Sequence, residues 1–405
     1  MRIYILFIIL ILPAPLLCDF HIKYGTYTSI FLEEGEYDHS ESYLQTINII
    51  LGNTYYYSSG ISLSWKVDYM MEYFNIQQQN TTFYTIDYSP EYQSLHRISK
   101  KSHKHIYDID FHRIKIEYSG VYYKITLGKD IFKWNNLYIF NIYNFFNQDL
   151  VSIKSDDLIQ GVEFASISYQ WANNNLLALY SSDKVSGGDL FIKYNYKGAF
   201  EEINILLANY KNNNLLSLSL NTDFFFNTQL KLNYLTYNPS LFTGLIYIGA
   251  TVDDFRNDNK IYLLSTSIEK EVNLFNSIWT LYVEYLYNGF GEDSYDDYFN
   301  IISKHSIDAE EHDINLLYKF YIGVGILGNI TNNIKLNIYD IVSYIDKSNY
   351  LYAALDYGIN RFIAISLSSG IGFGDINEEF GKHYAEDKVV RSVPFNINIA
   401  LKISI

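Results

Sequence analysis

Apolar and polar residues alternate along much of this chain. In residues 395–405 every second residue is apolar, and the residues between are polar or small. A period of two over this length predicts a β-strand with one apolar and one polar face. The same alternation recurs at 61–69, 121–127, 190–196, 314–320 and 334–338.

Short turns and long polar stretches separate these runs. Ser119-Gly120 and Lys197-Gly198 are pairs that reverse a chain tightly, whereas residues 89–104, 288–313 and 375–391 form longer polar stretches. Short turns on one side and long loops on the other are typical of outer-membrane barrels. The pattern therefore predicts an all-β fold, a transmembrane antiparallel β-barrel of about 16–18 strands.

The N-terminus carries the features of an export signal. A basic start is followed by an apolar block over residues 3–12, which Pro13 and Pro15 end. The block is too short to cross a bilayer as a helix, so we expect residues 1–18 to be a signal peptide. Cys18 then lies at the cleavage site or is lipid-modified.

The rest of the chain is expected to form one barrel. Only 5 prolines occur, and no linker or low-complexity segment divides the chain. We expect residues 19–42 to be a periplasmic or lumen segment and residues 43–405 to be a single barrel, whose terminal strand pairs with a first strand near 43–55. A large soluble β-sandwich or solenoid is the alternative fold.

Composition narrows the possible functions. The net charge of −15 disfavours nucleic-acid binding. The single cysteine, Cys18, excludes a disulfide framework for the exported chain. Aromatic residues make up 18% of the chain, including 41 Tyr, and a tyrosine excess is compatible with either a membrane or a soluble β-protein.

Several short motifs resemble a family of porin-like barrels of the Gram-negative outer membrane. The chain reads LGKD at 127–130, followed by Trp134, and then NQD at 147–149 and GVEF at 161–164. A second segment, VEYLYNG at 283–289, resembles the mid-barrel strand end of that family. The resemblance implies a porin-like class and no particular solute.

The chain also departs from the family pattern. Gln148 stands in place of a proline, no glycine follows Trp134, and the chain ends in Ile405 rather than in an aromatic residue. The first two departures leave the subfamily open. The terminal strand nevertheless resembles the signal that the barrel-assembly machinery reads.

Charged residues on the polar faces of the strands are candidates for lining a pore. Phasing by the apolar neighbours predicts that basic side chains point inward more often than acidic ones, which favours anions, because lumen charge tunes the selectivity of a barrel. The alternative is that these lysines lie near the membrane rims or pair with acids. The predicted lumen-lining residues are Lys66, Asp68, Arg113, Lys115, Glu117, Lys124, Glu163, Lys193, Lys231, Glu284, Lys319, Lys335 and Lys402.

Residues 132–150 are the candidate constriction of this pore. The segment is long and aromatic and lies between predicted strands, and barrels of 16–18 strands leave an aqueous channel that such a loop can narrow. Its candidate constriction residues are Lys133, Trp134, Asn147 and Asp149.

Other chemistry receives little support from the sequence. His103, His105 and His112 with Asp108 and Asp110 form the one dense His/Asp cluster, but spacing without a motif is weak support for catalysis or metal binding. Acid-rich loop stretches could bind divalent cations, although solvated loop charge is the simpler account. We therefore expect no catalytic residue, no metal, no cofactor and no nucleic-acid partner.

The sequence thus predicts a porin-like channel for passive diffusion of small solutes, with a possible preference for anions. Its partners would be outer-membrane lipid, small solutes and the barrel-assembly machinery, and its oligomeric state stays open. A non-conducting surface, adhesion or structural barrel is the second interpretation, and an outer-membrane enzyme is the third.

Overall fold

The computed structural model describes most of the strands and several short connections between them. The described residues are 21–32, 41–56, 61–75, 98–101, 105–130, 162–181, 188–210, 213–224, 228–237, 261–289, 318–375, 382–385, 388–392 and 395–404, with 132, 134, 137–140, 142, 291, 316 and 378–380. The predicted signal peptide and Cys18 lie outside them.

The described part of the chain forms 21 strands. In chain order they are β1 (His21–Leu32), β2 (Glu41–Tyr56), β3 (Ile61–Asn75), β4 (Ile98–Lys101), β5 (His105–Ser119), β6 (Tyr123–Asp130), β7 (Val162–Trp171), β8 (Asn174–Ser181), β9 (Asp189–Lys197), β10 (Glu201–Tyr210), β11 (Asn213–Phe224), β12 (Thr228–Tyr237), β13 (Ile261–Leu274), β14 (Ser277–Asn288), β15 (Phe320–Thr331), β16 (Ile334–Ser343), β17 (Asn349–Gly358), β18 (Ile363–Phe373), β19 (Lys382–Ala385), β20 (Lys388–Ser392) and β21 (Phe395–Ser404). Within this part no helix is long and apolar enough to cross a membrane.

Antiparallel pairing closes the main sheet into a ring. Nineteen strands belong to it, and eighteen of them, all but β4, form the ring, in which each pairs with two ring neighbours. The last strand of the ring, β21, pairs with both β18 and β1, so among the described strands of this sheet only β4 has an edge without a partner strand. The eighteen strands of the ring agree with the predicted number of about 16–18. The short strand β4 adds only a further pairing to β5.

The two faces of the sheet differ in burial. On β14 the side chains of Tyr282, Glu284 and Leu286 are buried, whereas those of Leu281 and Val283, which lie on the other face, are exposed. Most of the described large side chains on the exposed face are apolar from the end of β5 to β18, and Ile399 on β21 belongs to this face, as the alternation in the terminal run predicts. This is the outer face, which suits contact with lipid; the buried face is the inner one.

Connections at the two ends of the ring differ in length. One end, the turn end, carries the chain termini and tight hairpins such as the one at Phe275 and Asn276, whose φ angles are 52° and 59°. Positive φ at both central residues is what a two-residue hairpin of this twist requires. The opposite end, the loop end, carries the longer connections, including those after β6, β12 and β14.

The first strand begins earlier than the sequence predicts. Residues 21–32 form β1, which pairs with β2 on one side and with β21 on the other. The expectation that 19–42 lies outside the barrel, and that the terminal strand pairs with 43–55, is therefore wrong. The apolar alternation of this strand is interrupted by Gly25, Thr26, Thr28 and Ser29, so the local pattern does not reveal a strand here. Its place in the barrel follows from its pairing with strands on both edges.

A second difference concerns the run at 314–320. The strand there, β15, begins only at Phe320, and Leu316 and Tyr318 are buried rather than exposed to lipid. Asn288 Nδ2 donates hydrogen bonds to the carbonyl oxygens of both residues, at 3.0 and 3.2 Å. The backbone before β15 is thus held by a side chain of β14.

Candidate pore constriction

The segment that follows β6, called the inward segment from here on, enters the ring; its described residues are 132, 134, 137–140 and 142. Its described residues contact inner-face side chains on successive strands: Phe132 meets β7, Trp134 meets β9, and Tyr138 meets β12 and β14. Ile139 and Phe140 then reach β15, which lies half-way round the ring from β6. The predicted inward position of this part of 132–150 agrees with these contacts.

A buried glutamate on β14 holds the segment in place. Glu284 Oε1 accepts a hydrogen bond from the backbone N–H of Tyr138 at 2.6 Å. Its Oε2 accepts from the N–H groups of Ile139 and Phe140, at 3.0 and 2.9 Å. Glu284 is 0% exposed, so these three donors replace the water that a carboxylate otherwise requires.

Aromatic contacts fix the segment along the inner wall. Trp134 meets Phe191 edge to face with ring centroids 5.3 Å apart. Tyr138 stacks on Tyr282 with centroids 4.6 Å apart. Offset and edge-to-face arrangements are the favoured geometries for aromatic pairs, so the segment is packed on the wall as well as hydrogen-bonded to it.

A glycine on β15 makes room for the segment. A Cβ at Gly323 would lie 2.5 Å from Cδ1 of Ile139. Gly323 is also the register partner of Glu284. The close approach and the carboxylate anchor therefore occupy one row of the sheet.

An ion pair lies beneath Tyr138. Lys231 Nζ is 2.5 Å from Glu269 Oε1 and 5.2 Å from the centroid of the Tyr138 ring. Ser267 Oγ donates to the same carboxylate oxygen at 3.1 Å. Burial, together with the negative charge of Glu269, raises the pKa of Tyr138.

A second segment, residues 378–380, also reaches the inner wall at the loop end. Glu379 is buried and accepts a hydrogen bond from the hydroxyl of Tyr321 at 2.9 Å. The same hydroxyl accepts from the backbone N–H of Tyr318 at 2.7 Å, and the ring of Tyr321 faces Phe140 at 6.4 Å. Tyr321 thus contacts both the inward segment, at Phe140, and the second segment, at Glu379.

Several predicted lumen residues lie on the inner face. Lys115, Glu117 and Lys124 do so on β5 and β6 and form ion pairs, described below. Lys193 and Lys231 do so on β9 and β12, where each ammonium lies over an aromatic ring of the inward segment. Of the remaining candidates, Glu284 anchors the segment, Lys319 is buried just before β15, and Lys335 lies near the turn end of β16.

The lumen prediction for Glu163 is wrong. Val162 and Phe164 on either side of it are buried, and Phe164 packs edge to face on Phe132 of the inward segment. Glu163 therefore shares the outer face with Ile167 and Tyr169. The apolar residues that suggested a lipid face here pack against the inward segment instead, which reverses the phase of the strand.

The remaining candidates are placed only in part. Lys66 and Arg113 are register partners in β3 and β5, and Lys402 pairs with Ala364 in β18; their side chains lie outside the described ones, as does that of Asp68. Lys133, Asn147 and Asp149 lie outside the described residues altogether, and so do the side chains of the His/Asp cluster. Among the described residues no group of three or more His, Cys, Asp or Glu is placed to hold a metal.

Sequence reasoning missed Tyr321, Glu269, Asp130 and Glu379 as parts of this site. The first three lie on strands whose alternation, correctly phased, would have pointed them inward. Glu379 belongs to an acid-rich loop stretch, and no local signal distinguishes a carboxylate that folds inward from one that stays in solvent.

Among the described residues, the closed antiparallel ring with a segment that enters it is a β-barrel of eighteen strands. Among solved structures the chain is similar to OccK5 (OpdH) of Pseudomonas aeruginosa, with a TM-score of 0.55 and 8% identity over 96% of this chain and 99% of that one. It is also similar to OccAB2 of Acinetobacter baumannii (0.53, 9%, over 97% and 99%) and to a BenF-like porin from Pseudomonas fluorescens Pf-5 (0.53, 9%, over 95% and 98%).

At these identities the similarity concerns the fold. One of these neighbours is described as a porin, and the predicted antiparallel β-barrel fold is confirmed. No family model and no curated protein matches the chain.

Proposed function

We propose that this chain is an outer-membrane channel for passive diffusion of small solutes. The observation that carries the proposal is the inward segment tied to Glu284 inside a closed ring of strands. Barrels of this size enclose an aqueous lumen, and a segment fixed along the wall narrows it without closing it. The channel needs no cofactor, and the proposal assigns no catalytic step to the chain.

Conductance in a planar lipid bilayer tests the channel directly. The full chain, refolded in detergent and shown by circular dichroism to be β-sheet, should give discrete single-channel steps. Folded protein that inserts into the bilayer and gives no steps would refute the channel.

A non-conducting barrel is the second candidate, and one observation favours it. The inner face from β14 to β17 is filled by buried tyrosines, including Tyr282, Tyr339, Tyr350 and Tyr352. If side chains filled the lumen in this way around the whole ring, the lumen would be blocked to solutes. The bilayer measurement separates the two, because a plugged barrel inserts but carries no current.

The preference for anions is a narrower part of the proposal. Lys115, Lys124 and Lys231 are neutralised by ion pairs, whereas Lys193 contacts the Trp134 ring and forms no ion pair among the described residues. The anion preference should thus be weaker than the count of inward bases in the sequence implies, and Lys193 is one of the bases that can contribute to it. The reversal potential across a salt gradient gives its sign.

We also propose a route to the membrane. Residues 1–18 would direct export, and the terminal strand would be read by the barrel-assembly machinery. The exposed Ile399 on the outer face of β21 supports the second step, since an apolar strand face is the feature that such a signal presents.

A further inference from the structure

Four charged side chains of alternating sign form a ladder down the inner face of β5 and β6. Lys115 Nζ is 2.6 Å from Asp130 Oδ2 and 4.0 Å from Glu117 Oε2. Glu117 Oε2 is in turn 2.7 Å from Lys124 Nζ. The ladder begins at Asp130, where the inward segment leaves β6, and ends at Lys124 near the turn end, about 20 Å away at the usual rise of a strand.

Serines lie in the register rows of Lys115, Glu117 and Lys124, whereas the β7 partner of Asp130 is Val162. Ser62 and Ser64 on β3 are the register partners of Glu117 and Lys115. On the other side Ser166 and Ser168 of β7 pair with residues of β6. Asp130, Glu117 and Lys115 are mostly covered, with 11–20% of each side chain exposed, whereas 48% of the Lys124 side chain is exposed.

The opposite part of the ring is filled. Between β14 and β17 the inner face carries tyrosines that are at most 9% exposed, such as Tyr282, Tyr339 and Tyr352, and residues 138–140 of the inward segment pack on β14 and β15. Lys124 is the most exposed member of the ladder, so a solute in the lumen can contact the ladder at Lys124 and its partner Glu117.

We propose that the ladder makes the channel selective for small zwitterions, solutes that carry an ammonium and a carboxylate group a few ångströms apart. This inference rests on the proposed channel function. The carboxylate and the ammonium of a zwitterion can contact one Lys and one acid of the ladder at the same time. When the zwitterion moves to the next pair of ladder charges, it exchanges both contacts together. A singly charged ion leaves one ladder charge without its partner, which is costly where water is restricted.

Charge balance also argues against selection of simple ions by this ladder. Its two bases and two acids sum to zero, so it creates little field at a distance and concentrates neither sign of ion at the mouth. It can still orient a dipolar solute at contact distance.

Efflux of four solutes of similar size from liposomes that contain the full chain tests the inference. The solutes are β-alanine (a zwitterion), propionamide (neutral), propionate (an anion) and propylammonium (a cation). We expect β-alanine to leave faster than each of the other three, by about threefold over propionamide, which needs only a small free-energy difference.

Two variants and one control complete the test. The double variant Glu117→Gln/Lys124→Gln removes one pair and keeps the sum of charges, so the advantage of β-alanine should fall toward one. Glu117→Gln alone leaves a surplus base and should favour propionate. Lys270→Gln changes an exposed outer-face charge and should leave all ratios unchanged.

The outcomes separate the two proposals. Wild-type protein that passes none of the solutes and carries no current would refute the channel itself. Wild-type protein that conducts but passes β-alanine no faster than propionamide, or passes propionate fastest, would overturn the zwitterion inference and leave the channel standing. An unchanged ratio in a conducting double variant would overturn it as well.

Discussion

The backbone N–H of Tyr138 and the carboxylate of Glu284 lie 2.6 Å apart, although 146 residues separate them in the chain. This hydrogen bond joins a connection between β6 and β7 to a strand on a distant part of the ring. Two more N–H groups reach the same carboxylate. One side chain therefore sets how far the inward segment stands from the wall, and so the width of the lumen beside it.

Replacing Glu284 should release the segment. Glu284→Ala leaves three backbone N–H groups without their acceptor, and buried unsatisfied donors cost about 1–3 kcal/mol each. We expect a lower midpoint of urea unfolding in detergent, and single channels with larger and noisier conductance. Asp223→Ala is the control, because that inner-face carboxylate is exposed and lies near the turn end of β11. Wild-type conductance and stability in Glu284→Ala would show that the segment is held by its aromatic contacts alone.

Gly128 should tolerate no side chain. Its φ is +137°, and a Cβ there would lie 2.0 Å from the carbonyl oxygen of Ile114. Gly128→Ala should therefore separate β5 from β6 locally and lower the free energy of unfolding by about 2 kcal/mol or more, given what backbone strain and overpacking cost. Gly358→Ala is the matched control, since its nearest atom would be 3.8 Å away. The urea midpoints of the two variants give the comparison, and equal midpoints would contradict the expectation.

Lys193 should influence ion selectivity from beside the constriction. Its ammonium lies 5.6 Å from the Trp134 ring centroid and forms no ion pair among the described residues. Removing this ammonium lowers the lumen charge by one unit, so Lys193→Met should move the reversal potential toward cations. Lys270→Met on the outer face should not move it. A shift of the same size in both variants would mean that the lumen charge at Lys193 is not what sets selectivity.

Tyr321 should connect the loop end to the constriction. Its hydroxyl donates to Glu379 and accepts from the backbone of Tyr318, so Tyr321→Phe loses both bonds and leaves buried polar groups unsatisfied. We expect a loss of about 2 kcal/mol in unfolding free energy and more frequent current fluctuations. Tyr357→Phe, on the exposed outer face, is the control. Quiet channels of wild-type stability in Tyr321→Phe would refute this role.

Part of the site follows from local sequence. The alternation on β5, β6, β9 and β12 is regular, and the inner-face positions of Lys115, Lys124, Lys193 and Lys231 were predicted from it. Glu163 was not predicted correctly, because the phase of a strand is judged from its apolar residues. Phe164 is apolar and yet faces inward, where Phe132 packs on it.

The sign of the lumen charge could not be read from the sequence in the same way. Counting inward bases and acids treats each as independent, whereas Lys115 and Asp130 come together only because β5 and β6 pair in one register. Asp130 is the last residue of β6, so only the residues before it indicate to which face of the strand its side chain points. Ion pairs between strands therefore escape a count made strand by strand.

The sequence by itself determined that this chain is a sheet of many antiparallel strands with one apolar face, because a period of two is a local property of consecutive residues. It also marked Glu284, Trp134 and Gly128 as motif positions. Only the tertiary structure decided that β1 closes the ring and that Glu284 receives the backbone of residues 138–140. It alone brought Lys115 together with Asp130. These are contacts between distant parts of the chain. They are determined by the register in which strands pair and by the way a loop enters the ring, and no short run of residues encodes either.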